Sequence, residues 1–116
     1  MAASIETDVA IIGAGPVGLF AVFECGMLKM RCVVVDALEA IGGQCTALYP
    51  EKPIYDIPAH PAIDAQDLVA RLEAQAAPFA PTYLLGRRVE ALVEAGGVFT
   101  LTTSAGDTLR ARAVVI

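Results

Sequence analysis

The sequence has little of what most binding chemistries require. It holds one histidine, His60, in 116 residues, and no further ligands that would complete a metal centre stand grouped with it. Basic residues are few: eight Lys and Arg against thirteen Asp and Glu give a net charge of −5. They stand singly or as the pair Arg87-Arg88, which reads as a solvated edge, so the basic patch that a nucleic-acid backbone needs is missing. Three cysteines (Cys25, Cys32, Cys45), odd in number and not tightly spaced, argue against a disulfide framework and for a reducing, cytoplasmic setting. The longest uncharged run, residues 9–23, is shorter than the about 20 apolar residues of a membrane span. It also contains three glycines and a proline. Glu6 and Asp8 precede it without a Lys or Arg, which argues against a signal peptide. Neither nucleic acid nor membrane is an expected partner.

What is present is apolar: 56% hydrophobic residues and a mean hydropathy of +0.61 exclude a disordered segment, and the length suits one modest core. The organising stretch is Asp8-Val-Ala-Ile-Ile-Gly13-Ala14-Gly15-Pro16-Val17-Gly18, closed by Val33-Val-Val-Asp36. An apolar strand over 8–12 runs into a glycine turn, then a helix over 16–28, then a second strand over 31–35 that ends on a carboxylate. In such a unit Gly13 permits the tight turn, Gly15 lets the backbone approach a pyrophosphate, and Gly18 lets the helix pack on the strand. Pro16 suits the first helical turn, where its missing N–H has no intrahelical partner to lose. The helix N-terminus then faces phosphate. Asp36 stands 18 residues beyond Gly18, near the spacing of an acid that bonds a ribose hydroxyl. Its alternative reading is a strand-end turn carboxylate. An acid there disfavours a 2′-phosphate, so NAD or FAD fits this pocket better than NADP.

The apolar residues Leu19, Phe20, Val22, Phe23, Met27 and Leu28 spread around the helix and predict that it is largely buried. Cys25 and Cys32 read as small core residues. Residues 37–61, with four prolines and the pair Gly42-Gly43, predict a long irregular loop, and its apolar and aromatic content favours an ordered, functional one. A helix is expected over 65–77, with Asp64 as N-cap, Asp67 as a loose capping-box partner and Leu68, Val69, Leu72 and Ala76 on its buried face. From Thr82 the period changes to two. Strands are expected at 83–86, 89–94 and 98–103, the last two joined by Gly96-Gly97, then at 108–111 and 113–116. The closing run Ala113-Val-Val-Ile116 reads as a buried strand and suggests a fragment of a longer protein.

The order GAGPVG, acid, Gly42-Gly43-Gln44 loop and meander resembles the FAD domain of two-dinucleotide-binding flavoproteins. Within that group, residues 42–58 (GGQCTALYPEKPIYDIP) resemble the thioredoxin-reductase-like ferredoxin–NADP reductases. The likeness covers the whole chain, and LYPEK-x-IYD is its specific part. It implies an α/β, Rossmann-like FAD/NAD(P)-binding three-layer fold, with a central parallel sheet and a small antiparallel meander, present here as a partial domain over 1–116. It further implies FAD with its adenosine half over Gly13, Ala14, Gly15, Pro16, Val17 and Gly18 and its ribose on Asp36. Gly43, Gln44 and Tyr49 then match positions at the flavin, Tyr49 stacking on the ring. Asp56 matches a position close to the flavin, and Val89 one where backbone meets the adenine. Tyr49 as a half-buried core tyrosine, Asp56 as a turn carboxylate before Pro58 and Val89 as a plain strand residue are the competing readings.

Glutathione-reductase-like enzymes carry a cysteine pair in this loop, but the position five beyond Cys45 is Pro50, so no such disulfide relay exists here. The resemblance implies NADPH as co-substrate in a domain this chain lacks, ferredoxin or a similar acceptor as partner, and a homodimer. No side chain stands out as a catalytic base or nucleophile. A thioredoxin-reductase-like disulfide reductase and a non-catalytic nucleotide-binding module are the rival readings.

Overall fold

The structure is a computed structural model that describes residues 2–43, 48 and 50–116. Strand β1 (Ser4–Ile12) lies parallel to β2 (Cys32–Asp36), with Val9 opposite Cys32 and Ile12 opposite Val35. Helix α1 (Pro16–Met27) makes the crossover between them. Two short strands, β3 (Pro53–Ile54) and β4 (Ile63–Asp64), pair in a separate antiparallel sheet. They precede helix α2 (Ala65–Ala76) and a 3-10 turn (Ala77–Phe79). β5 (Thr82–Leu85) returns beside β2 in parallel. The chain then turns three times through the antiparallel strands β6 (Val89–Ala95), β7 (Val98–Thr103) and β8 (Thr108–Val115). Because β8 also pairs in parallel with β1, six strands share one sheet in the order β5-β2-β1-β8-β7-β6.

Each face of the sheet carries its own core. On one face Val9, Ile11 and Val34 pack with Val22 and Cys25 of α1 and Ala76 of α2. On the other, Ala10, Val33, Val35 and Leu84 join Leu101, Leu109 and Ala111 of the meander. Helices, parallel sheet and meander therefore make three layers, as expected. Fully buried Leu19, Val22, Leu101 and Leu109 each contribute about 1.5–3 kcal/mol of hydrophobic stabilisation. Ile5 and Ala10 belong to the same core although five residues apart, so the inward face of β1 changes parity between them. Leu109, Ala111 and Val114 show the same change in the paired strand β8. This coiling carries the ribbon from the meander into the parallel sheet.

Four local expectations need correction. The first strand, expected over 8–12, begins already at Ser4, because Ser4 to Thr7 pair with Thr108 to Ala111 of β8. α1 is only half covered: Val17 is 80% and Met27 62% exposed, since the sheet and α2 occupy two sides of the helix and nothing among the described residues covers the third. Asp64 has extended N-cap geometry, but its side chain makes no capping hydrogen bond. The closing run continues β8 without a break, yet Ile116 is 89% exposed. There β8 keeps β1 on one edge, whereas β7 reaches only Thr108 to Ala111 on the other.

Candidate nucleotide-binding site

β1 has its crossover partner β2 on one side and β8 on the other, so the strand connections diverge at its carboxyl end. In open parallel sheets the crevice at such a switch point is where ligands bind. The Gly13–Gly18 segment sits there. Gly13 has φ +114, a conformation that strains a residue bearing a Cβ, and its N–H donates to Val35 O at 2.8 Å. A Cβ on Gly18 would lie 1.9 Å from Gly13 O, so the helix can approach the strand this closely only without one. A Cβ on Gly15 would meet nothing within 4 Å, which leaves open space in front of the turn for a ligand. α1 has Pro16 at its first position, no acid in its first turn and no side-chain cap, so no side chain of its own first turn offsets its positive end.

Two other segments close on this turn. The Asp36 carboxylate accepts from Ala14 N at 2.7 Å through Oδ2 and from Leu38 N at 2.8 Å through Oδ1. Asp36 is thus fixed beside the glycine turn. The Gly42-Gly43 pair comes from the loop side: Gly42 N donates to Ala14 O at 2.8 Å. A Cβ on Gly43 would stand 3.4 Å from Gly15 Cα. The structure therefore brings Gly13, Ala14, Gly15, Gly18, Asp36 and Gly43 together.

Two clefts flank the turn. One, of about 370 Å³, follows Gly13 to Gly18 and reaches Val115 and Ile116. The other, of about 260 Å³, has Gly13 and Asp36 on one side and Arg87, Arg88 and Val89 on the other. Val89 thus lines the same cleft as Asp36. A larger apolar groove of about 580 Å³ lies beyond Val17 and Phe20 of α1, against Ile57, Pro58, Leu68 and Leu72. Asp56 is exposed and lines none of these cavities. Gln44 and Tyr49, and with them the stacking expectation, lie outside the described residues, as does Cys45.

Arg87 departs from the solvated edge expected of the Arg87-Arg88 pair. Its side chain is 28% exposed and its Nη1 lies 3.3 Å from both carboxylate oxygens of the fully buried Asp107. Asp107 also accepts from Thr103 Oγ1 at 2.6 Å and from Ala3 N at 2.8 Å. The Thr103 hydroxyl first, then Ala3 N and Arg87, hold this carboxyl below its ordinary pKa against the opposing effect of burial. Sequence reasoning missed both residues, because Arg87 and Asp107 are twenty positions apart and a buried carboxylate has no one-dimensional pattern. The signal that was available is adjacency, since Arg87 and Arg88 directly precede Val89.

The family model described as an NAD(P)-binding Rossmann-like domain matches residues 11–72. A ferredoxin–NADP reductase of Granulibacter bethesdensis is 69% identical over 112 residues, 97% of this chain and 32% of that protein. One from Acidiphilium cryptum is 64% identical over the whole chain and 34% of its own length. The chain thus spans about a third of the length of the curated relatives it matches. The thioredoxin reductase structure from T. acidophilum superposes with a TM-score of 0.80 at 24% identity, over 94% of this chain and 34% of that one, a likeness of fold alone. Helix, sheet and glycine turn agree with the sequence match, and the chain belongs to the NAD(P)-binding Rossmann-like domain family.

Proposed function

We propose that this chain is the FAD-binding part of a flavoprotein oxidoreductase that takes electrons from NADPH and passes them to ferredoxin or a similar acceptor. The observation that carries the reading is the 69% identity to a ferredoxin–NADP reductase across 97% of the chain. The residues present fit the cofactor's adenosine half. Gly15 leaves room for a pyrophosphate, α1 directs its uncapped N-terminus there, and Asp36 holds a carboxylate beside the turn. When bound, FAD would supply the redox chemistry, accepting hydride from NADPH and releasing electrons singly. The chain's own part is to bind and orient. Gly13 to Gly18 hold the diphosphate, Asp36 takes the ribose hydroxyls and rejects a 2′-phosphate, and Val89 borders the adenine. Gly43, Gln44, Tyr49 and Asp56 are the residues that the family resemblance assigns to the flavin end.

The nicotinamide site and the acceptor surface belong to the rest of the protein, which forms a homodimer on this reading. The 116-residue chain by itself is then inactive. The test is NADPH-dependent reduction of ferredoxin by the full-length, FAD-loaded protein, followed by absorbance. The reading expects turnover with the full-length protein and none with residues 1–116. A full-length protein that holds FAD but reduces no ferredoxin with NADPH contradicts it, and activity towards a disulfide substrate instead would favour a thioredoxin-reductase-like enzyme.

A further inference from the structure

The apolar groove beyond Val17 and Phe20 has a volume of about 580 Å³, within the roughly 300–1,000 Å³ of small-ligand sites. Three elements build it. α1 contributes Pro16, Val17 and Phe20 from its first turns. α2 contributes Leu68, Arg71, Leu72 and Gln75, whose spacing at i, i+3, i+4 and i+7 puts them on one helix face. The third wall is the turn from Ile57 to His60, closed by His60 N donating to Ile57 O at 3.1 Å. Ala59 in this turn takes φ +68, a conformation that a residue bearing a Cβ disfavours, so its surroundings hold it. The pairing of Ile54 in β3 with Ile63 in β4 closes the base of that loop. The α1 wall is braced as well: Phe20 stacks on Phe23 with ring centres 5.7 Å apart, and Phe23 meets Phe79 edge-on at 5.8 Å.

Charge separates this groove from a bare apolar face. Arg71 is the only permanently charged residue that lines it, and no carboxylate does. Arg71 forms no ion pair among the described residues, and Asp67, one turn earlier on α2, does not line the groove. An arginine beside an apolar wall lays its methylene stem along that wall and keeps its cation at the water edge. In a chain of net charge −5, such a place complements a molecule with a hydrocarbon body and one anionic head. The groove is also distinct from the nucleotide crevice. It shares Pro16 and Val17 with the cleft along Gly13 to Gly18, but neither Asp36 nor Val89 lines it.

We propose that this groove binds a small aliphatic carboxylic acid, with its chain between α1 and α2 and its carboxylate on Arg71. The probe is decanoate, titrated calorimetrically into the full-length, FAD-loaded protein. Decylamine controls for the charge of the head and butyrate for the length of the body. The expected result is saturable binding of decanoate, at least about ten-fold tighter than that of either control. Arg71→Gln should weaken decanoate about three- to ten-fold, and Arg71→Lys less, because it keeps the cation. Thermal midpoint and FAD absorbance should stay unchanged in both variants, since an exposed arginine without an ion pair carries little of the fold. Failure of decanoate to saturate overturns the proposal, and would mean that the rest of the protein or a second copy fills the groove. Decylamine binding as tightly as decanoate overturns it too, as does Arg71→Gln binding decanoate as tightly as the wild type, because only a non-specific apolar surface is then left. A protein that binds decanoate through Arg71 but holds no FAD contradicts the function proposed above and supports this site, so the two failures are distinguishable.

Discussion

Single residues carry the strongest constraints. Asp107 is charged, buried and bonded by Thr103, Ala3 and Arg87, and its pKa lies below the usual carboxylate range. A depressed folded-state pKa contributes stability that is present above the unfolded value and lost as pH falls through the folded one. Acid denaturation should therefore begin as pH drops below about 4, and Asp107→Asn should flatten that limb of the stability curve. Tyr83 presents the opposite case. Its hydroxyl is buried with no hydrogen-bond partner among the described residues, and burial raises its pKa. Tyr83→Phe removes an unpaired polar atom, so chemical denaturation should show stability unchanged or raised by about 1 kcal/mol. A clear loss would mean that the hydroxyl is bonded. Neither residue was legible as special in the sequence, where Asp107 was only part of a turn and Tyr83 only part of a strand. Their character comes from neighbours supplied by distant segments.

Elements were more legible. The crossover from β1 through α1 to β2 follows from a glycine turn and Pro16 standing between two β-branched runs. Its boundaries fall at Pro16, Met27 and Asp36, within a residue or two of expectation. The extent of α1's burial was not legible, since apolar residues all round a helix say that it can be covered and not by what. Gly18→Ala should cost about 1–3 kcal/mol by denaturation, because the new methyl meets Gly13 O and the α1–β1 contact must open. Where α1 meets β2, Cys25 and Cys32 are both buried, and burial pushes both thiols up, Cys32 to about 11. A folded-state pKa above the unfolded one gives stability that is complete below about pH 9 and lost as pH rises towards 11. Urea midpoints should thus fall across that interval, and thiol reagents at pH 8 should label these cysteines only on unfolding. Rapid labelling of the native chain would contradict this.

At the scale of the whole molecule, the sheet order places the carboxyl ends of β1, β2 and β8 around one crevice. Much of that was readable, because a parallel crossover followed by a three-stranded meander leaves few topologies. The joining of meander and parallel sheet through an unbroken β8 was not, since the parity change near Asp8 and Arg112 disguises one strand as two. Of the candidate site, the glycine turn and Asp36 came from local motif and spacing and Val89 came through the resemblance, whereas the Arg87–Asp107 pair beside it needed three dimensions. The central claim is that this crevice holds the adenosine half of FAD. Calorimetric titration of the 116-residue chain with FAD, followed by displacement with ADP or 2′-phospho-ADP, tests it most directly. The account predicts one FAD per chain, displaced by ADP and at least about ten-fold less readily by the 2′-phosphorylated analogue, given Asp36 at the ribose. Absence of FAD binding, or FAD that ADP does not displace, would contradict it.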